Sequence, residues 1–327
     1  MSTVSTVRGP VEVSGLGRTL MHEHLVFGYP GNEGDRSMWT YNEDAIVATG
    51  VAAVRSIQAQ GFSTLFDATP NDCSRNPLLL KQIAEETGFN VICATGYYKE
   101  AHGGSAYFGM RSLFADTVSE LADLFITELT EGIGDTGVRA GIMKLGTGQG
   151  GISDYEHAVI KAAARAQQAT GAPIITHTED GTGGPAQARA LVEAGADPGR
   201  TVVGHMCGNA RDLDYQLATL AYGVGIGYDR TGGNRLFNDI TDDDRMDMAV
   251  TLAERGYLNR IFWSQDSIAT WLGRSWDGFY ALPGAEHWKI TRIGDYIEPG
   301  LLGRGLTQAD LDQLLIGNPA SLWGQEA

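Results

Sequence analysis

Eight times along this chain a short apolar run stops at a polar or glycine residue and a longer amphipathic segment follows. The runs are "RTLMHEH", "STLFDAT", "NVICATG", "RAGIMKLG", "PIITH", "TVVGH", "GVGIGY" and "RIFWSQD". Near-continuous apolar character marks strands buried on both faces, the condition of a parallel sheet. The segments between include "NEDAIVATGVAAVRSIQAQG", "ADTVSELADLFITELTEGIG", "DYEHAVIKAAARAQQATG" and "TDDDRMDMAVTLAERG". Each starts near Asp or Asn and ends at Gly, the residues that favour helix starts and stops.

Strand then helix, repeated eight times, predicts an α/β fold of the (β/α)8 TIM-barrel type. The 327 residues exceed the roughly 250 of a plain barrel. The excess falls mainly between "SQDS" and "LTQADLDQLL", a long connection of the kind that lids an active site. No Pro/Ser linker, charge block or repeat marks a second unit, so one domain over 1–327 is expected. The alternative architecture, an open doubly wound sheet, lacks a GxGxxG after an early strand.

Charge narrows the partners. Acidic residues outnumber basic ones 40 to 24, for a net charge of -16, which repels a phosphate backbone and argues against nucleic acid. Cys73, Cys93 and Cys207 form no CxxC, so neither a disulfide framework nor a zinc ribbon is expected, and Cys93 reads as a small buried hydrophobe. The start "MSTVSTVRGPVEV" lacks a basic-then-apolar leader, and no run approaches the roughly 20 apolar residues that span a bilayer. A cytoplasmic protein without a membrane partner is the expectation.

In a barrel of this kind, functional side chains gather at the C-terminal ends of the strands. The first run ends in His22 and His24, which share a face because strand residues two apart point the same way, while Glu23 points elsewhere. The fourth carries Lys144, the fifth ends in His177, the sixth in His205, and the eighth leads into Asp266. Of the seven histidines, only His102, His157 and His287 lie in loop- or helix-like surroundings, and these read as ordinary surface or packing residues. Four imidazoles, a carboxylate and a lysine exceed the three protein ligands of a mononuclear catalytic zinc and suit two divalent ions. Lys144 has two readings. Its stem packs in the core with the head in water, or it is modified to carry negative charge, since two cations repel an ammonium. Glu23 is not the base of an HExxH site, which needs a helix, and reads as structural. The glycine-rich "GTGQGGISD" reads as a flexible connection.

HxH on the first strand, Lys on the fourth, His on the fifth and sixth and Asp on the eighth resemble the phosphotriesterase family of the amidohydrolase superfamily. The likeness runs nearly the whole chain, through "VSTVRGPVEVSGLGRTLMHEH", "HTEDGTGGPAQARALVEAGADPGRTVVGHMCGN" and "ITRIGDYIEPGLLGRGLTQADLDQLLIGNPASLW". It implies two divalent ions, zinc first, with cobalt, manganese or iron as alternatives. His22, His24 and Asp266 are then implied for the more buried ion and His177 and His205 for the more exposed one. Lys144, as an N6-carboxylated carbamate, is implied as the bridge.

Lactonase-like members of that family carry a tyrosine after the third strand and an Asp-Arg pair after the seventh. Tyr98, preceded by Tyr97, and the pair Asp229 and Arg230 match them. The implied activity is lactone ring-opening, acyl-homoserine lactones included, with phosphotriester hydrolysis beside it. Carboxylester or amide cleavage of a small metabolite, and a binding protein without turnover, are the alternatives. Asp266 is implied as proton acceptor and Tyr98 as a hydrogen-bond donor to substrate. Arg230 either orients the substrate or pairs with Asp229, and Trp263, Trp271 and Trp276 either wall the pocket or simply pack. The residues after Arg230 and the segment "SIATWLGRSWDGFYALPGAEHW" depart from the family pattern, and both belong to substrate-facing loops. A homodimer is the assembly the resemblance implies.

Overall fold

A computed structural model describes residues 2–103, 105–234 and 236–324. Two short strands open the chain, β1 (Thr3–Thr6) and β2 (Gly9–Glu12), paired as an antiparallel hairpin. Nine more follow: β3 (Thr19–Phe27), β4 (Thr64–Asp67), β5 (Asn90–Thr95), β6 (Ile142–Thr147), β7 (Ile174–Thr178), β8 (Thr201–Val203), β9 (Gly225–Tyr228), β10 (Ile261–Trp263) and β11 (Ile268–Trp271). These nine form one parallel sheet in the order β10-β9-β8-β7-β6-β5-β4-β3-β11.

Both ends of that order come from a single stretch, 261–271, which closes the ring. Its first part pairs with β9, its last part with β3, and between them Asp266 N donates to His22 O at 3.0 Å and His24 N to Ser267 O at 2.9 Å. The eight expected strands are therefore present, with the eighth broken in two at Ser264–Ser267.

The helices α1 (Glu43–Gln58), α2 (Pro77–Thr87), α3 (Ser105–Arg111), α4 (Thr117–Thr130), α5 (Asp154–Thr170), α6 (Gly184–Glu193), α7 (Leu213–Leu220) and α8 (Asp242–Glu254) lie in the connections between strands. Short helical turns follow from Asp277 onward. Local chemistry sets the bounds. Ser153 and Glu156 form a reciprocal capping box on α5, and Gly171 ends it in the left-handed conformation. Glu156 Oε1 also accepts from Gly148 N at 2.9 Å, which ties the glycine-rich turn after β6 to the helix it leads into.

Strand alternation divides the apolar residues into two layers. Leu65, Val91, Cys93, Met143, Leu145, Ile174, Val203 and Ile226 face the helices. Phe66, Ile92, Ala94, Ile142, Ile175, Val202 and Phe262 fill the inside of the ring. Val4, Val13 and Leu16, from the N-terminal hairpin and the turn after it, join this inner cluster and plug one end of the barrel. The sequence reading did not anticipate that hairpin. No helix among the described residues is long and apolar enough to cross a membrane.

Candidate metal centre

Above the inner apolar layer the inward-facing positions change character. On β6, Ile142 belongs to the apolar layer, and Lys144, two residues on, reaches the mouth. On β7 the same step leads from Ile175 to His177. On β3 a register irregularity between Leu20 and Glu23 interrupts the plain alternation, so Met21 joins the inner cluster while His22 and His24 both reach the centre. Bulges commonly re-aim side chains in this way.

His205 and Asp266 reach the centre differently. β8 ends at Val203, so His205 lies past the strand, and its backbone has φ +57°; Asp266, in the break of the eighth strand, has φ +56°. A left-handed non-glycine residue costs roughly 1–2 kcal/mol, and such strain concentrates at functional sites. Gly204, just before His205, lies so close to β7 that a Cβ there would meet Thr176 O at 1.9 Å.

All six groups converge. Asp266 Oδ1 lies 3.1 Å from His24 Nε2 and 3.4 Å from His22 Nε2, and its Oδ2 lies 3.6 Å from His205 Nε2. Lys144 Nζ lies 2.5 Å from His22 Nε2. The rings of His177 and His205 meet edge to face with centroids 4.6 Å apart. Lys144 is only 2 % exposed, so its head does not reach water and the solvent-facing reading fails.

A carboxylate outside this ring fixes two of the imidazoles. Asp229 Oδ2 lies 2.6 Å from His22 Nδ1, and its Oδ1 lies 3.0 Å from His205 Nδ1 and accepts from His205 N at 2.7 Å. Each ring then turns Nε2 inward, and His205 Nε2 is buried without a hydrogen-bond partner. A histidine held at one nitrogen by a carboxylate, with the other free, is a usual metal-ligand arrangement. Ligand atoms of His22, His205 and Asp266 all lie within 4.8 Å of one another, so the residues present fit a divalent ion.

The electrostatics agree with that fit. Burial, reinforced by the Lys144 charge, pushes His22 down to about 3, and burial also lowers His177 and His205. Burial thus favours the uncharged imidazole, the form that binds metal. Burial opposes ionisation of Asp266, yet the neighbouring His205, His22, His24 and Arg230 outweigh it and hold the carboxyl well below the usual range. Burial pushes the Lys144 ammonium down to about 8, although Asp266 and Asp229 favour its charge.

A cavity of ≈ 130 Å³ opens onto this cluster. Tyr98 Oη lies 3.3 Å from His177 Nδ1, and burial, followed by Tyr29, pushes the Tyr98 phenol well up, so it keeps its proton. Arg230 does not pair with Asp229. Its Nε donates to Asp266 Oδ2 at 3.1 Å, Nη1 reaches Asp180 Oδ1 at 3.5 Å, and the guanidinium lies over Phe237. Asp229, one residue earlier, faces the imidazoles instead.

The tryptophans divide. Trp271 and Trp276 stack 4.1 Å apart on the cavity wall, joined by Tyr29, Phe279 and Trp288. Trp263 packs among the helix-facing core residues, its Nε1 donating to Thr231 Oγ1. Of the other histidines, exposed His102 sits beside Tyr29 and Tyr98, His157 lies on α5, and His287 is exposed beside Glu286.

Comparison with known proteins gives one answer. The phosphotriesterase family model matches residues 2–323. An aryldialkylphosphatase from Saccharolobus solfataricus is 32% identical over 314 residues, covering 94% of this chain and 95% of that one. The organophosphorus hydrolase from Deinococcus radiodurans superposes with a TM-score of 0.94 at 44% identity, over 98% of this chain and 97% of that one. A variant PTE-like lactonase from the same organism superposes with a TM-score of 0.94 at 43% identity, over 98% of this chain and 100% of that one. The (β/α)8 ring, the histidine and carboxylate cluster at its mouth and these likenesses make one conclusion: the chain belongs to the phosphotriesterase family, metal-dependent hydrolases of ester bonds.

Proposed function

We propose that this chain is a binuclear lactonase, one hydrolase domain over 1–327, with phosphotriester hydrolysis as a side activity. The observation that carries the reading is the meeting of six ligand-type groups beneath a cavity walled mainly by aromatic rings. Tyr98 and Arg230 supply polar groups in that wall, a combination suited to an uncharged polar ring bearing an apolar substituent. The similarity to a PTE-like lactonase supports the same choice.

In this proposal His22, His24 and Asp266 hold one ion and His177 and His205 the other. Lys144, whose lowered basicity leaves a neutral amine accessible, would take up CO2 with loss of a proton and, as the N6-carboxylate, would serve as a further ligand. Zinc or a similar divalent metal, when bound there, would supply Lewis acidity toward water and toward the substrate oxygen. The chain's own residues do the rest. Asp266, kept ionised, accepts the proton of the attacking water. Arg230 on its Oδ2 fixes its orientation. Tyr98, kept protonated, donates to the carbonyl oxygen as charge grows there. The ring C–O bond breaks, and the proton taken up by Asp266 passes to the departing alkoxide, giving the hydroxy acid.

A homodimer belongs to the same proposal. Tyr107, Met110, Leu113 and Phe114, each more than 60 % exposed, form an apolar stretch on and just after α3, of the kind that marks an interaction surface. Light scattering on purified protein tests it.

Metal-loaded protein offered acyl-homoserine lactones, γ- and δ-lactones, paraoxon and aryl acetates is expected to show its highest kcat/KM on lactones. His205→Ala and Asp266→Asn are expected to abolish turnover in a folded barrel. No turnover of any of these substrates, or unchanged kcat in either variant, refutes the reading.

A further inference from the structure

Glu23 lies between two candidate ligands yet touches neither site atom nor solvent. It is fully buried, and its carboxylate is wrapped by the break in the eighth strand. Oε1 accepts from Ser264 Oγ at 2.6 Å and Gln265 N at 2.8 Å; Oε2 accepts from Ser267 N at 2.9 Å and Ser267 Oγ at 2.5 Å. Of the four residues Ser264–Ser267, the one Glu23 does not hold is Asp266. Ser264 Oγ in turn accepts from His22 N at 3.0 Å, so one network joins the first strand's ligand to the segment carrying the carboxylate.

An uninterrupted strand sends alternate amides sideways into ladder bonds with its neighbours. Here the amides of Gln265 and Ser267 turn to a side chain instead, and the residue between them adopts φ +56°. A buried carboxylate is tolerated only where its lone pairs are met, and here four donors meet them. We propose that Glu23 is a positioning residue for the metal centre. Its carboxylate is the template that bends Ser264–Ser267 so that Asp266 leaves the sheet and reaches His24, His22 and Arg230. The proposal rests on the binuclear reading above. It gives the middle residue of the HxH pair a role that neither histidine can fill.

The test uses full-length holoprotein and Co2+ as probe, followed by its visible absorption and by chelator competition. Glu23→Gln replaces one acceptor oxygen with an NH2 group that must face a backbone N–H. Wild type is expected to bind two Co2+ per chain. Glu23→Gln is expected to hold the first ion about tenfold or more weakly, as losses of supporting groups around metal ligands do, with a shifted Co2+ spectrum and a lowered kcat. Phe125→Leu, a core change in α4 away from the site, controls for stability and is expected to lower Tm with Co2+ affinity unchanged.

Wild-type Co2+ affinity and spectrum in Glu23→Gln overturn the proposal, as does the same loss of affinity in Phe125→Leu at equal Tm. Should Glu23→Gln not fold, Ser267→Ala carries the test. It removes one of the four hydrogen bonds and is expected to weaken Co2+ binding about threefold to tenfold at nearly wild-type Tm; unchanged binding there overturns the proposal. Failure of wild type itself to take up two ions is a separate result that removes the binuclear reading and this role together.

Discussion

Asp229 has three acceptor tasks and two oxygens to meet them: His22 Nδ1, His205 Nδ1 and His205 N. Asparagine keeps one oxygen and turns an NH2 toward the rest. Asp229→Asn is therefore expected to lower metal affinity and kcat/KM by about 10- to 100-fold, read by chelator titration and lactone turnover. Tyr98→Phe keeps the ring and removes only the donor, so kcat is expected to fall by about 100-fold with KM little changed. Lys144 and His177 were legible as candidate ligands because plain strand alternation carries them to the mouth. For His205 and Asp266 only the place near a strand end was readable, not the left-handed backbone that aims them. The partners of Asp229 and Arg230 were not, because two consecutive residues in a loop diverge by their torsions, which no spacing encodes. Strand parity set Glu23 apart from the two histidines but did not show what it touches. The four groups it binds come from residues more than two hundred positions away, beyond any local pattern.

Among the elements, α4 is held to the sheet by a buried ion pair as well as by apolar packing. Arg75, in the turn before α2, donates through Nη1 and Nη2 to both oxygens of Glu128 on α4, and Thr95 Oγ1 at the end of β5 donates to the same carboxylate. Burial opposes its ionisation, but hydrogen bonds from Arg75 and Thr95 win and lower the Glu128 carboxyl below its ordinary value. A carboxyl lowered in the folded state stabilises fully above the unfolded value of about 4.3 and ceases to do so as pH falls through the folded value. Glu128→Gln is thus expected to cost about 3 kcal/mol at pH 7, with the gap to wild type closing below about pH 4. Denaturant melts across that range check it, and a gap that persists at low pH rejects the assignment. Element identities were readable from periodicity and caps, as α5 with its Ser153 start and Gly171 stop shows. The break in the eighth strand was not, because "RIFWSQD" reads as a strand to its end and only the carboxylate of a distant residue interrupts it.

At the scale of the molecule, the ring closes where its ligands sit, since the stretch 261–271 both completes the barrel and carries Asp266. An ion held by Asp266 would therefore couple its binding to closure through that stretch. Removing divalent ions with a chelator is expected to lower Tm by about 5 °C or more, because an ion at a thousand times its Kd adds about 4 kcal/mol to the folded state. Re-addition of Zn2+ restores it; an indifferent Tm counts against a resident ion. The fold class was legible because eight buried strands with helical returns leave few topologies. The N-terminal hairpin was hidden because strands of four residues carry too little pattern to distinguish them from a loop.

Three of the six tryptophans, Trp271, Trp276 and Trp288, border the cavity, and the first two are stacked face to face. The molecule thus carries its own optical gauge of occupancy: indole emission is expected to change when a guest enters between the rings and the histidine and carboxylate cluster below, so binding can be followed by fluorescence, without a label and apart from turnover.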